Sequence, residues 1–298
     1  MSDIYILGCG AVGLLLAEKL SHNHCVTLIT RTASKQDFFF INGKQRTRLN
    51  VNLTTLADLN EKIHTCIVPV KAYQLVSAME ALSPHLSQDA NVILSHNGMS
   101  DLNHFNSILQ PTQALYFLST SMGGMKPDYN TVIFKGPGLT QLGACNVQAK
   151  RQVTELYNHY FMQHFEPIEL TNDIAEVRWQ KLCVNIAINP LTALLECPNG
   201  ALQTPAYATQ VLKLLNEACF VAQCEGVELQ LATELARAYK VMALTQHNTS
   251  SMAQDIKLKR QTEIDAICGY IATTAKKYGY QATENEILWQ QVKRKEQT

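Results

Sequence analysis

Ile4-Tyr-Ile-Leu-Gly8-Cys-Gly10-Ala-Val-Gly13-Leu-Leu-Leu-Ala-Glu-Lys-Leu20 is the stretch that decides the fold class. Ile4 to Leu7 form a short apolar run of the buried-strand kind, and Leu14 to Leu20 carry helical periodicity, so the three glycines fall at a strand-to-helix turn. Each glycine then has its own reason. Gly8 permits the tight turn, Gly10 lets a pyrophosphate approach the backbone, and Gly13 lets helix and strand pack closely, with the helix N-terminus facing the anion. Cys25-Val-Thr-Leu-Ile29 follows at the distance of a second parallel strand. The spacing predicts a βαβ unit that binds a dinucleotide through the loop Gly8, Cys9, Gly10, Ala11, Val12 and Gly13.

Which dinucleotide is decided at the end of the second strand. A site for NAD usually carries Asp or Glu there, and this chain reads Ile29-Thr-Arg31-Thr-Ala-Ser-Lys35. Arg31, supported by Thr30, Thr32 or Lys35, suits a 2′-phosphate through charge-assisted hydrogen bonds, so NADPH is the expected cofactor. The competing reading is a surface arginine in a polar loop. Cys66-Ile-Val-Pro-Val70 and Asn91-Val-Ile-Leu94 are further core strands. Ligands of an open parallel sheet sit beyond the carboxyl ends of its strands, which makes Lys71 and Asn97 candidates. On position alone Lys71 is equally a surface lysine, and Asn97-Gly98 equally a turn. Phe38 to Val51 read as a hairpin with a type I′ turn at Asn42-Gly43. Ser119 to Gly124 read as a flexible loop, and Thr131–Phe134 and Leu139–Gly143 as antiparallel additions to the sheet.

From about Val153 the pattern turns helical, with helices expected at 151–164, 173–189, 207–225, 228–242 and 253–278. The expected division is a dinucleotide-binding Rossmann-type domain over 1–166 and an all-helical domain over 167–298, with substrate in a cleft between them. Lys181, Asn185 and Asn189 follow one another at i,i+4 on the helix that ends at Pro190 and so share one face, surrounded by Leu182, Cys183, Val184, Ile186, Ala187 and Ile188. One amine and two carboxamides on an otherwise apolar helix suggest hydrogen-bonding groups aimed at a ligand; a thin solvated face is the bland alternative. Ser251-x-x-Gln254 fits a capping box, and a helix N-terminus there would equally seat a carboxylate.

The 298-residue chain has 46% hydrophobic and 17% charged residues and a formal net charge of zero, which gives no case for a nucleic-acid or membrane surface. Nine scattered cysteines with no C-x-x-C pair suit a reducing compartment rather than a disulfide framework or a structural zinc, and no metal site is expected. The opening apolar run is too short for a signal sequence, and no run approaches the roughly 20 apolar residues of a membrane span. The expected location is the cytoplasm. The Lys293-Arg-Lys295 run reads as a solvated end.

Taken together, Gly8-x-Gly10-x-x-Gly13, Arg31, Lys71, Asn97-Gly98, Lys181-x3-Asn185-x3-Asn189-Pro-Leu-Thr192, Cys197-Pro-Asn-Gly200, Asn248-Thr-Ser-Ser-Met252 and Arg260-x-Thr-Glu-Ile-Asp265 resemble the ketopantoate reductase (2-dehydropantoate 2-reductase) family over almost the whole chain. The resemblance implies a Rossmann domain followed by a helical domain, and NADPH-dependent reduction of 2-dehydropantoate to (R)-pantoate on the way to pantothenate and coenzyme A. It implies Lys181 as proton donor, Asn97, Asn185, Asn189, Asn199 and Ser251 as substrate contacts, and Arg31, Lys71, Asn97 and Glu263 as cofactor contacts. Ser119 to Gly124 depart most from the family pattern. The expected partner is a small 2-keto acid, handled by a monomer or homodimer; reduction of a related 2-keto acid, or cofactor sensing without catalysis, are the alternatives.

Overall fold

Apolar β-branched and leucine-rich runs alternate with helical periods over the first half of the chain, and in the computed structural model they form a layered α/β unit. The structure describes residues 3–33, 36–162 and 167–297. Two compact units result, residues 1–96 with 101–174, and residues 97–100 with 175–298.

The first unit contains β1 (Asp3–Leu7), α1 (Ala11–Leu20), β2 (Cys25–Ile29), β3 (Phe39–Asn42), β4 (Gln45–Arg48), β5 (Asn52–Thr54), β6 (Ile63–Val68), α2 (Leu75–Leu82), β7 (Leu86–Leu94), α3 (Leu102–Ile108), β8 (Ala114–Thr120), β9 (Gly123–Met125), β10 (Thr131–Gly136), β11 (Thr140–Ala144), α4 (Val147–Tyr160) and β12 (Ile168–Thr171). Its main sheet runs β12-β11-β8-β7-β6-β1-β2-β5. From β5 to β8 all neighbours are parallel, then β11 joins β8 antiparallel and β12 joins β11 parallel. Strand order reverses about β1 and β6, the switch point at which an open α/β sheet places its ligand. Leu14, Leu15, Leu16 and Leu20 of α1 are buried with Ile4, Ile6, Val26 and Leu28, each such side chain contributing about 1.5–3 kcal/mol.

The expected division after residue 166 falls beside residues 163–166, which lie outside the described residues. The chain changes unit at Ile174 because β12 still pairs with β11, Ile168 to Thr171 opposite Thr140 to Gly143.

Three expectations for this unit are corrected. Ser119 to Gly124 are not a flexible loop: β8 continues to Thr120 with every residue buried, and β9 begins at Gly123. Thr131 to Phe134 do not extend the main sheet, because β10 joins a second sheet in the order β4-β3-β10-β9. The hairpin turn is centred on Gly43-Lys44, since Asn42 pairs with Gln45, and only Gly43 has positive φ (60°), where type I′ requires it at both central residues.

The second unit is helical: α5 (Ile174–Leu195), which begins at the junction, α6 (Pro205–Cys224), α7 (Leu231–Leu244), α8 (Ser251–Lys257), α9 (Cys268–Lys277) and α10 (Thr283–Lys295). Leu182, Cys183, Ile186 and Ala187 of α5 form its core with Val211, Leu214 and Ala218 of α6, Ile271 of α9 and Leu288 and Val292 of α10. The helix expected to end at Pro190 runs through it to Leu195. The single helix expected over 253–278 is two helices. Lys259 takes a left-handed φ of 51°, and the Arg260 and Lys259 N–H groups donate to Asp255 O and Ile256 O, a Schellman closure of α8 with lysine where glycine is usual. α10 was not expected, and its last residues are not simply solvated, as Lys295 Nζ donates to Leu194 O at 3.0 Å and Glu196 Oε1 at 2.6 Å. No helix among the described residues is long and apolar enough to cross a membrane.

Candidate active site

In the first unit the glycine loop leaves β1 and enters α1. Gly8 has φ 110°, and a Cβ on Gly13 would lie 2.5 Å from Gly8 O, so both glycines are required by the chain itself. Gly10 differs. It is exposed, and a Cβ there would meet only Pro69 O at an ordinary 3.7 Å, so protein packing does not demand glycine at this position. As the N-cap of α1 it offers no side-chain acceptor to the first N–H groups, and that turn carries no acidic residue. A bare, uncapped helix start with room for close approach fits a pyrophosphate.

Arg31 and Thr32 are exposed just beyond β2. Thr30 does not support a phosphate: it is buried, with Oγ1 donating toward Thr32 O at 2.9 Å and Thr54 O at 3.3 Å. Lys35 lies outside the described residues. Lys71 is partly buried two residues past Pro69 and begins a single helical turn over Ala72–Gln74. Cys9, Ala11 and Val12 are partly buried in the loop and first turn. Sequence reasoning missed Lys126, whose Nζ donates to Cys9 O at 2.6 Å and Tyr129 O at 2.5 Å, placing an ammonium on the glycine loop. Nothing in the pattern around Met125-Lys-Pro127 signals this.

In the second unit α5 delivers the polar row. Lys181 is partly buried, Asn185 likewise, and Asn189 is buried. Burial pushes the Lys181 amine from 10.5 down to about 8, against a smaller upward pull from the Glu263 carboxylate. Asn185 Nδ2 is buried and has no hydrogen-bond partner among the described residues, a condition that ligand acceptors commonly relieve.

Glu263 comes from the turn before α9 and is itself buried. Asn97 Nδ2 donates to its Oε2 at 3.2 Å. That meeting depends on Gly98, with φ 76°, where a Cβ would stand 2.4 Å from Ala266 O; Met99 N then donates to Ala266 O at 2.7 Å. A second missed residue fixes the same segment. Arg178, one turn before Lys181, is buried and donates from Nη2 to Ser100 O at 3.2 Å and toward Ser100 Oγ at 3.3 Å. Its i−3 spacing from Lys181 was a legible signal.

The far end of the row meets α8. Thr192 Oγ1 lies 2.8 Å from Ser250 Oγ, and Ser250 Oγ accepts from Ala253 N at 3.1 Å. The capping residue is therefore Ser250, one position before the serine expected to cap, and Gln254 Nε2 bonds Thr249 O instead of closing a box. Ser251 is exposed at the first position of α8. Asn199 is buried in a single helical turn over Asn199–Gln203; its Nδ2 donates to Thr245 Oγ1 at 2.9 Å, while Oδ1 has no hydrogen-bond partner among the described residues. The second unit thus assembles Asn97, Lys181 and Glu263, and ties the Asn189 end of α5 to the start of α8. Gly8 to Gly13, Arg31 and Lys71 belong to the first unit. No group of three or more His, Cys, Asp or Glu that could hold a metal occurs among the described residues.

Residues 4–146 match the family described as ketopantoate reductase PanE/ApbA, and residues 173–296 match its C-terminal counterpart. The chain belongs to the ketopantoate reductase family. The 2-dehydropantoate 2-reductase of Vibrio cholerae serotype O1 is 34% identical over 302 residues, covering 99% of this chain and 98% of that protein. The Bacillus subtilis 2-dehydropantoate 2-reductase is 30% identical over 97% of this chain and 96% of its own length. A solved structure described as a probable 2-dehydropantoate 2-reductase from Bacillus subtilis superposes with a TM-score of 0.84 at 30% identity, covering 98% and 99% of the two chains. D-mandelate dehydrogenase with NADH and anilino(oxo)acetate gives a TM-score of 0.91 at 23% identity over 99% and 98%, a likeness of fold. Within the family the Rossmann-type first unit and helical second unit are the common architecture.

Proposed function

We propose that this ketopantoate reductase family member reduces 2-dehydropantoate to (R)-pantoate with NADPH, with Lys181 as proton donor. The observation that carries the assignment of Lys181 is the polar row of α5, which sets its partly buried amine one turn from the buried Nδ2 of Asn185; burial lowers that amine to about 8. NADPH, when bound, supplies the hydride that reduces the ketone carbon.

The chain's own residues do the rest. At neutral pH an amine of pKa about 8 is still mostly protonated, yet it is a ~300-fold stronger acid than an ordinary lysine at 10.5. Lys181 therefore stabilises charge growing on the carbonyl oxygen and gives that oxygen its proton. Glu263 keeps the amine charged before the proton is spent. Asn185, whose buried Nδ2 has no hydrogen-bond partner among the described residues, and Asn189 orient the keto acid, and the exposed hydroxyl of Ser251 takes the carboxylate. Asn199 contributes its buried Oδ1 to a substrate hydroxyl. Asn97, bonded to Glu263, serves both substrate and nicotinamide. Gly8 to Gly13 seat the pyrophosphate, Arg31 the 2′-phosphate, and Lys71 contacts the cofactor. The same reading places a monomer or homodimer in the cytoplasm; none of the nine cysteines is joined in a disulfide.

The test is oxidation of NADPH with 2-dehydropantoate, with several other 2-keto acids, and with NADH in place of NADPH. A higher kcat/KM for another keto acid would move the assignment to that substrate. Tight NADPH binding with no turnover of any keto acid would make the chain a cofactor sensor.

A further inference from the structure

Glu263 occupies a short turn, and its neighbours on either side are held by α10. Thr262 is fully buried, and both its N–H and its hydroxyl donate to Glu296 Oε1, at 2.8 and 2.6 Å. The same hydroxyl accepts from Ile264 N at 3.2 Å, so one carboxylate oxygen fixes the backbone on both sides of Glu263. Asp265 is held at its two oxygens, by Trp289 Nε1 at 2.6 Å and Lys293 Nζ at 3.1 Å. Lys293 also bridges to Glu296 Oε2 at 3.1 Å, which joins the two anchors. Burial works against the Lys293 charge, but the hydrogen bonds and fields of Asp265 and Glu296 outweigh it and hold its pKa above the usual value. The opposite side of the turn is fixed by Met99 N on Ala266 O.

We propose that Glu296, seconded by Lys293, is a positioning residue that sets Glu263 beside Lys181. The inference rests on reading Lys181 and Glu263 as the reacting end of the site. α10 does not need Glu296 in order to fold. Its first turn is anchored by Glu217, which accepts from Glu284 N and Asn285 N at 2.9 Å and from Asn285 Nδ2 at 2.8 Å, and Leu288 and Val292 lie in the core. Glu296 stands at the other end of the helix, where its bonds serve the turn. The charged groups facing that turn are Lys181 from α5, Glu263 and Asp265 within it, Lys293 from α10 and Glu296 at the C-cap of that helix.

The experiment compares Glu296→Ala, Glu296→Gln and Lys293→Met with the unaltered protein and with Lys181→Ala, recording kcat, KM, the pH profile of kcat and Tm. Loosening the turn weakens the pull of Glu263 on Lys181, so the fall of kcat at high pH begins at lower pH. The Glu296 variants are expected to lose roughly 10- to 100-fold in kcat with little change in KM for the keto acid, as misplacement of a reacting group does. Lys293→Met should shift the limb the same way by less. A lowered Tm with kcat and its high-pH limb unchanged in the folded fraction would overturn the proposal, leaving Glu296 a stabilising residue. If Glu296→Ala does not fold, Glu296→Gln and Lys293→Met carry the same two outcomes. If Lys181→Ala keeps full activity the underlying assignment fails; if it is inactive while the other variants leave the limb in place, only the positioning inference fails.

Discussion

Lys181 makes a quantitative demand on the pH dependence of turnover. A proton donor must carry its proton, so kcat is full below the pKa of Lys181 and is lost as pH rises through it. With that pKa at about 8, the protonated fraction is ~0.9 at pH 7 and ~0.1 at pH 9, a fall of about 10-fold across an interval in which an ordinary lysine would stay charged. Lys181→Ala removes both the donor and the charge and should lower kcat by roughly 10²- to 10⁴-fold, about 3–5 kcal/mol of barrier, with the Kd of NADPH changed less than about 3-fold. Lys181→Arg keeps a charge that does not titrate below pH ~12, so its kcat should be low but without the high-pH fall. The assay follows loss of reduced nicotinamide absorbance under saturating keto acid from pH 6 to 10, with NADPH affinity measured separately. A wild-type kcat that is level from pH 7 to 9.5 would refute the lowered pKa of Lys181, and equal loss of turnover and NADPH binding in Lys181→Ala would refute its donor role.

Other expectations are independent of that measurement. Arg31→Ala should raise KM for NADPH roughly 10- to 100-fold, the worth of hydrogen bonds to a charged group, while leaving KM for NADH unchanged; equal effects on both cofactors would remove Arg31 from the 2′-phosphate. Ser250→Ala should cost about 1 kcal/mol of stability as the loss of an N-cap, visible as a lower Tm. Ser251→Ala should leave stability within about 0.5 kcal/mol and raise KM for the keto acid, and the reverse pattern would return the capping role to Ser251. Gly98→Ala, with its Cβ forced against Ala266 O from a left-handed backbone, should cost about 1–3 kcal/mol and lower kcat by displacing Asn97 from Glu263. Normal kcat in a folded Gly98→Ala protein would show that Asn97 acts without that clamp.

The parallel sheet was legible because its signals are local. Ile4 to Leu20 carry strand, glycine turn and helix within one short segment, and each later core strand is an apolar run whose neighbour in sequence is its neighbour in space. The elements that were missed depend on partners elsewhere in the chain. Thr131 to Gly136 are as strand-like as Thr140 to Ala144, and only the choice of partner, β3 rather than β8, decides which sheet receives them. The break after α8 carries no glycine, because Lys259 accepts the left-handed conformation in its place. α10 lacks a capping side chain of its own, since its N-cap is Ala282 and the acceptor is Glu217 of α6. A helix start whose acceptor sits on another helix leaves no mark in its own sequence window.

The same distinction divides the site. Lys181, Asn185 and Asn189 could be read from spacing alone because one helix presents them all, and helical spacing is a property of sequence. Glu263 could not, since Asn97, the residue that bonds it, is 166 positions away. Its assignment from family resemblance named a role without a physical reason, and the reason lies in what surrounds the turn. A buried carboxylate is costly unless donors and a cation compensate it, and here Asn97 supplies a donor and Lys181 the opposite charge. The dependence runs both ways. Glu263 is the group that resists the desolvation of Lys181, and without it the amine would fall further and lose its proton nearer neutral pH. The segments that hold Glu263 in place, Asn97 to Met99 on one side and the end of α10 on the other, therefore bear on the proton of Lys181 as its burial does.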